Sequence, residues 1–171
     1  FDYLLKKKDA PENTEIFIKE FKKVSKNNMH LAEIENLYQG IANLQPTKMI
    51  PNLSVLTFEN ESKTLTEIAA NKKVLFYFWS GTNRKQYLDI FKRIAVLKEN
   101  KPDHELIGIN IKTDYDQWKN ILTTLGVDPT LQYHSNDFKE LTEKLVLYPI
   151  NKAIITDNSV IVDGFSNIYK N

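Results

Sequence analysis

Residues 74–83 read Val-Leu-Phe-Tyr-Phe-Trp-Ser-Gly-Thr-Asn, and this stretch decides the fold. Its first six residues are all apolar, which is typical of a central β-strand covered on both faces. Residues 80–83 are turn and helix-capping residues, so they end the strand and start a helix. The helix continues with apolar residues on one face, namely Tyr87, Leu88, Phe91, Ile94 and Ala95.

The segments on either side complete an α/β pattern. A second buried strand is predicted for Leu106 to Ile111, and two more, Ala153 to Thr156 and Val160 to Phe165, flank a hairpin turn at residues 157–159. A weakly alternating strand, Leu53 to Phe58, comes earlier in the chain. Since a strand–helix–strand unit is followed by a hairpin, the sheet is predicted to be mixed, with helices on both faces.

Further helices are predicted from apolar residues at helical spacing. A short helix covers Thr64 to Ala70, and a longer one ends at Gly126 and Pro129. A third begins near Ser135 or Asn136. The apolar stripes of the last two helices are Trp118, Ile121, Leu122 and Leu125, and then Phe138, Leu141 and Leu145.

Residues 1–50 form an N-terminal helical segment that precedes the main domain at 51–171. Two amphipathic helices are predicted there, separated by Asn27 and Asn28. Each has one apolar face, which needs a partner surface. We expect both helices to pack on the following domain. Their stripes are Phe17, Phe21 and Val24, and then Leu31, Ile34, Tyr38, Ile41 and Leu44.

The composition excludes several classes of function. With 171 residues, 42% hydrophobic, and a formal charge of +1, the chain gives no reason to expect nucleic acid as a partner, since phosphate binding needs a concentrated basic surface. No apolar stretch approaches the roughly 20 residues that span a bilayer. The sequence starts at Phe1, so a removed export signal remains open. Cysteine is absent, which removes every disulfide, thiolate and Cys-metal function from this chain.

The order and spacing of four segments resemble the TlpA/ResA branch of thioredoxin-like proteins, which is related to the AhpC/TSA peroxiredoxins. They are a proline-initiated lead-in at Pro51, the strands at 74–79 and 106–111, and Tyr148-Pro149-Ile150 before the strand from Ala153. The resemblance covers about residues 50 to 166. It implies a three-layer α/β/α sandwich with a mixed central sheet, and a cis-proline at Pro149.

Both active-site cysteines of that family are replaced here. Counting on from Phe78 and Trp79, the two positions hold Asn83 and Gln86, with Arg84 and Lys85 between them. Thr82 stands where the family has a tryptophan. Neither amide can attack a disulfide or become a sulfenic acid, so disulfide exchange and cysteine-based peroxidase chemistry are excluded. The family also adds a helix after the final hairpin, which this chain either lacks or has lost by truncation, and the N-terminal helices are candidates to cover the sheet instead.

Two physical features of the degenerate site remain. The helix start has free N–H groups that favour anions, and Arg84 and Lys85 in its first turn are either tolerated surface residues or neutralised by an anionic partner. The resemblance implies that the backbone edge beside Pro149 pairs with an extended peptide, a mode that needs no thiol. Alternatively, Pro149 only preserves an ancestral turn.

These features predict a redox-inactive domain that binds a protein or peptide. The N-terminal helical segment resembles those that precede such domains in envelope proteins of Bacteroidetes-type bacteria, and this resemblance implies a location in a bacterial cell envelope. A small-anion or small-metabolite binder that uses Arg84 and Lys85 is the alternative, and an enzyme of altered, thiol-independent chemistry comes third. No cofactor is expected. The predicted binding surface comprises Trp79, Thr82, Asn83, Arg84, Lys85, Gln86, Tyr148 and Pro149.

Other chemistries have weak signals. His30, His104 and His134 lie in different elements without metal-ligand spacing, so they are interpreted as surface or capping residues and no metal site is predicted. A triad of Ser80, His134 and an aspartate is a remote option because no nucleophile-elbow motif is present. Trp79 and Trp118 are interpreted as core residues.

Overall fold

A computed structural model describes residues 28–135, 137–147 and 152–170 of the chain, with the side chains of residues 28–31 left out. The described residues form one seven-stranded sheet in the order β2-β1-β5-β4-β3-β6-β7. The strands are β1 (Ser54–Leu56), β2 (Ser62–Thr64), β3 (Lys73–Trp79), β4 (His104–Asn110), β5 (Gln132–His134), β6 (Lys152–Asp157) and β7 (Val160–Asn167).

The sheet is mixed, as predicted. Strands β3, β4 and β5 run parallel, and the remaining neighbours pair antiparallel. The two buried strands of the sequence pattern are adjacent, with Lys73 opposite His104 and Trp79 opposite Asn110. The hairpin between β6 and β7 is also confirmed, and its turn residues Asn158 and Ser159 both have positive φ.

Helices cover both faces of this sheet, so the architecture is the predicted three-layer α/β/α sandwich. Alternate residues of β3 point to opposite faces, which is why the run of apolar residues is continuous. Val74, Phe76 and Phe78 face one core with α1, α2 and α5, while Leu75 and Tyr77 face the other with α3 and α4. The helices are α1 (Asn28–Asn43), α2 (Leu65–Ala69), α3 (Arg84–Asn100), α4 (Tyr115–Leu125) and α5 (Phe138–Leu145).

Helix α1 is built into the domain. Ile34, Ile41 and Leu44 are buried in the same apolar core as the even-numbered side chains of β3. Gly40 allows close approach to α5, since a Cβ at this position would lie 2.7 Å from Val146 Cγ2. The second predicted N-terminal helix thus packs as expected, and the first lies outside the described residues.

The two outer edges of the sheet differ. At one edge, β2 is a three-residue strand with exposed Ser62 and Lys63. At the other edge, the chain that follows α1 lies beside β7: Thr47 N donates to Ile161 O at 3.0 Å and Ile161 N to Lys48 O at 2.8 Å. The segment 44–50 therefore covers the first half of β7.

Two strands and one helix start differ from the sequence expectation. Strands β2 and β5 were not predicted; each has three residues and is too short to show alternation. Helix α5 is capped by Asp137, whose side chain accepts from Glu140 N at 3.1 Å, rather than by Ser135 or Asn136. All three are capping residue types, so the sequence alone did not distinguish them. In the described part of the chain, no helix is long and apolar enough to cross a membrane.

Candidate functional site

The candidate site lies where β3 ends and α3 begins, at the carboxyl edge of the parallel strands. This edge is where open α/β sheets bind their ligands. Asn83 is the N-cap of α3, and its side-chain oxygen accepts a hydrogen bond from Gln86 N at 3.1 Å. The residue at the first family cysteine position therefore satisfies a helix-terminal N–H group that would otherwise lack a partner.

Five of the eight predicted site residues form one continuous exposed segment. Thr82, Asn83, Arg84, Lys85 and Gln86 are all exposed, and we call them the helix-start surface. The first turn of α3 contains no acidic residue. Two cationic side chains therefore lie at the positive end of the helix dipole, an arrangement that an anionic partner would relieve.

Trp79 does not reach this surface. Its side chain is fully buried between sheet and α3, with its ring centroid 5.0 Å from that of Phe91 and 5.8 Å from that of Tyr87. Its indole Nε1 donates to Gln132 Oε1 at 3.1 Å. The prediction that Trp79 contributes to an exposed surface is therefore corrected, whereas its interpretation as a core residue is confirmed.

Tyr148 and Pro149 lie outside the described residues. The expected cis bond and the peptide-pairing edge beside it therefore stay predictions. The nearest described residues are Leu147, which is buried at the end of α5, and Lys152, which is buried at the start of β6.

A hydrogen-bonded chain that the sequence did not predict supports the loop before α3. Gly81 N donates to Thr113 Oγ1 at 2.7 Å, and that hydroxyl donates to Ile111 O at 3.1 Å. The ring nitrogen Nε2 of His134 is hydrogen-bonded to Thr113 O at 2.5 Å. His134 is only 7% exposed, so its interpretation as a surface or capping residue was wrong. Nothing in the three-residue strand β5 signals this burial.

The structure shows no hydrogen bond between Ser80 and His134, so it does not support a Ser-His-Asp triad. Ser80 Oγ is 2.9 Å from Thr82 Oγ1 and accepts from Thr82 N. His134 uses Nε2 for Thr113, and its Nδ1 has no partner among the described residues. Within that same set of residues, no group of three or more histidines and carboxylates could hold a metal ion.

A pocket of about 330 Å³ lies at the opposite, amino end of β3 and β4. Its charged groups are largely paired: Lys72 with Glu105 at 3.0 Å and Lys73 with Asp103 at 3.3 Å. Hydrogen bonds from His104 and Lys73 lower the pKa of the Asp103 carboxyl. This pocket is not part of the helix-start surface, so it adds nothing to the predicted site.

Comparison with solved structures defines the class of fold. At a TM-score of 0.60 and 22% identity, the chain is similar to a protein named as a thiol-disulfide oxidoreductase of Bacteroides vulgatus, over 73% of this chain and 88% of that one. The chain is also similar to the thioredoxin domain of a thiol-disulfide oxidoreductase from the same organism, with a TM-score of 0.54 and 19% identity over 70% of this chain and 87% of that one. For a thiol peroxidase from Chromobacterium violaceum, the TM-score is 0.57 and the identity 12%, over 68% of this chain and 73% of that one.

The chain therefore has a thioredoxin-like fold, and its structural neighbours are of the class that the sequence resemblance indicated. No family model matches the sequence. A search of curated proteins likewise finds no match. With no cysteine in its 171 residues, this chain lacks the thiols on which disulfide exchange depends.

Proposed function

We propose that this chain is a redox-inactive thioredoxin-like domain that binds an acidic protein segment or peptide at the helix-start surface. The observation that carries the proposal is the exposed first turn of α3, whose charged residues are both basic, placed at the carboxyl edge of β3. Free N–H groups, the helix dipole, and the side chains of Arg84 and Lys85 all favour a carboxylate there.

The position of the surface also supports the proposal. Its residues follow directly on β3, and the loop at Gly81 is fixed by the hydrogen bond to Thr113. A loop with a fixed backbone loses less backbone conformational entropy on binding. Asn83 and Gln86 add exposed amide groups, which can donate to and accept from a peptide backbone.

A selection experiment tests the proposal. A displayed library of random peptides is selected on the purified chain, and enriched peptides are titrated by calorimetry. We expect enrichment in Asp and Glu. The double variant Arg84→Glu/Lys85→Glu should weaken binding by about tenfold or more, because two favourable charge contacts become repulsive.

The matched control is Lys92→Glu/Lys98→Glu, which makes the same change in net charge at two exposed positions further along α3. We expect it to leave the affinity nearly unchanged. Equal losses in both double variants would show nonspecific attraction and contradict the proposal, as would a selection that enriches no peptide.

The alternative is a small-anion site at the same residues, favoured by the same basic first turn. Titration with inorganic phosphate, followed through the backbone amide signals of Arg84, Lys85 and Gln86, distinguishes the two. If phosphate shifts these amide signals in a saturable way and the selection enriches no peptide, the small-anion site is favoured. A peptide that binds while phosphate does not saturate would favour the interaction domain.

We also propose a location in a bacterial cell envelope, because the N-terminal helical segment resembles those that precede such domains in envelope proteins of Bacteroidetes-type bacteria. Cell fractionation of the full-length protein in its native host tests this. Recovery in the cytosolic fraction would contradict it.

A further inference from the structure

Four buried side chains near the carboxyl ends of β4 and β5 carry polar atoms that have no hydrogen-bond partner among the described residues. One is the Ser135 hydroxyl, just after β5, and the atoms of the other three share one layer of the fold. These atoms are both amide atoms of Asn110, the indole Nε1 of Trp118 and the ring Nδ1 of His134. Asn110 and Trp118 are fully buried. Buried polar atoms in native proteins almost always have a partner, which is either protein or ordered water.

The three side chains are neighbours. Asn110 and His134 are opposite each other in the parallel pairing of β4 and β5, so their side chains project from the same face of the sheet. The ring of Trp118, on α4, lies over that face with its centroid 5.4 Å from the centroid of the His134 ring. The unpartnered atoms therefore belong to one layer between sheet and helix.

Their hydrogen-bonding roles are complementary to a single water molecule. The partner of His134 Nε2 is the Thr113 carbonyl, which only accepts, so Nε2 carries a proton. In the neutral ring, Nδ1 is then an acceptor. Together with the Asn110 carbonyl this makes two acceptor atoms, and the Asn110 amide nitrogen and the Trp118 indole nitrogen are two donor atoms. A water molecule offers two donors and two acceptors.

We propose that Asn110, Trp118 and His134 bind one internal water molecule between β4, β5 and α4. This water holds the His134 ring in the orientation that bonds Thr113 O, and Thr113 in turn fixes Gly81 before α3. His134 is thus a positioning residue for the loop at the helix start. The proposal stands on the buried groups alone and does not depend on peptide binding at the helix-start surface.

The two tryptophans of the chain provide an experiment with an internal control. Both indoles are fully buried, but the Trp79 N–H donates to Gln132 whereas the Trp118 N–H has no partner in the described residues. In ¹⁵N-labelled protein, with the two indole signals assigned from Trp→Phe variants, we expect a nuclear Overhauser cross-peak from water to the Trp118 N–H and none to that of Trp79.

The cross-peak should change sign in the rotating-frame spectrum, which marks contact with a bound water rather than proton exchange. Its absence at Trp118, or equal cross-peaks at both indoles, would overturn the proposal.

A second measurement uses the sign of a stability change. Asn110→Leu removes two partners of the water and leaves Trp118 Nε1 and His134 Nδ1 buried, so we expect the melting temperature to fall by several degrees. The matched control is Thr142→Val. It also removes a buried polar group without a partner in the described structure, here a hydroxyl. There we expect no decrease. Replacing a buried amide that has no hydrogen-bond partner by an apolar side chain would instead raise the melting temperature. A rise for Asn110→Leu would therefore refute the water site.

Discussion

Lys152 places an amine in the interior of the protein, where water has little access. Its side chain is 5% exposed, and Nζ donates to the backbone carbonyls of Leu145 and, at 3.2 Å, Val146 at the end of α5. Nζ also lies 4.2 Å from the centroid of the Phe165 ring. Burial lowers the pKa of the Lys152 ammonium well below 10.5, although the nearby Asp163 carboxylate opposes this shift.

The lowered pKa of Lys152 predicts a stability that rises with pH. Between the folded-state pKa and 10.5, the unfolded chain binds more protons at this lysine than the folded chain, so the free energy of unfolding increases with pH. The slope is at most about 1.4 kcal/mol per pH unit. Below the folded-state pKa the contribution is constant. Urea unfolding of wild type and Lys152→Met, from neutrality to pH 10.5, should show this rise only in wild type.

Lys98→Met is the control, since Lys98 is exposed and carries the same charge. Its unfolding free energies should keep the pH dependence of the wild type. Parallel curves for wild type and Lys152→Met would mean that Lys152 remains charged in the folded protein.

Individual side chains at the site were predictable only where local chemistry decides their role. Asn83 belongs to the stretch 80–83 that was predicted to hold turn and capping residues, because capping depends on a residue and its next three neighbours. His134 was misjudged because its burial depends on α4 and on Thr113, which are distant in sequence. The sequence placed Trp79 both in the core and on the binding surface, and the structure keeps only the core. The surface itself stays a prediction.

Helix α1 and Leu44, the residue that directly follows it, contribute to the stability of the core. Leu44 is fully buried and its backbone lies against Gly164, where even a Cβ would approach Leu44 O. Leu44→Ala should therefore lower the free energy of unfolding by about 2–5 kcal/mol, because it leaves a cavity in the core. Chemical denaturation measures this. Glu33→Ala, on the exposed side of α1, should change it by less than about 0.5 kcal/mol.

The packing of α1 in the core is relevant to the predicted division of the chain into a helical segment, 1–50, and a domain, 51–171. That division stays a prediction. A chain of residues 51–171 would lack Ile34, Ile41 and Leu44, each worth about 1.5–3 kcal/mol of burial. Domains have only about 5–15 kcal/mol of stability in total. We expect this shorter chain to lose cooperative thermal unfolding; an unchanged transition would show that α1 is an independent appendage.

Elements with a strong apolar pattern were predictable, and short polar ones were not. Strands β3 and β4 were recognised because both faces are buried, which makes the apolar run continuous. Strand β5 reads Gln-Tyr-His and is buried throughout, yet two of its three side chains are polar. Gln132 is tolerated there because it bonds both Tyr77 Oη at 2.7 Å and the Trp79 indole. Only the folded chain brings those partners together.

For the molecule as a whole, the start of α3 offers two positions, Asn83 and Gln86, that the sequence resemblance aligns with a pair of cysteines. In the double variant Asn83→Cys/Gln86→Cys, the thiol at position 83 would stand at the start of α3 beside Arg84 and Lys85, which lowers a thiol pKa. We expect it to react with iodoacetamide faster than a mid-helix thiol, by about three- to fourfold for each unit of pKa lowering, because the larger thiolate fraction is partly offset by a lower nucleophilicity. We also expect the pair to form a disulfide on oxidation.

Lys92→Cys/Ala95→Cys has the same spacing at exposed positions in the interior of α3, and is the control. Mass spectrometry after timed alkylation at mildly acidic pH compares the two pairs. Equal rates would show that the start of α3 does not activate a thiol.

The covered edge of β7 also affects how the protein behaves in concentrated solution. Open sheet edges are templates on which further chains can add, the first step towards fibrils. Here segment 44–50 covers the first half of β7, and the opposite edge is a short strand carrying the charged Lys63. Pairing of another chain along the first half of β7 would first require that segment 44–50 detach, so this segment protects that part of the edge against aggregation.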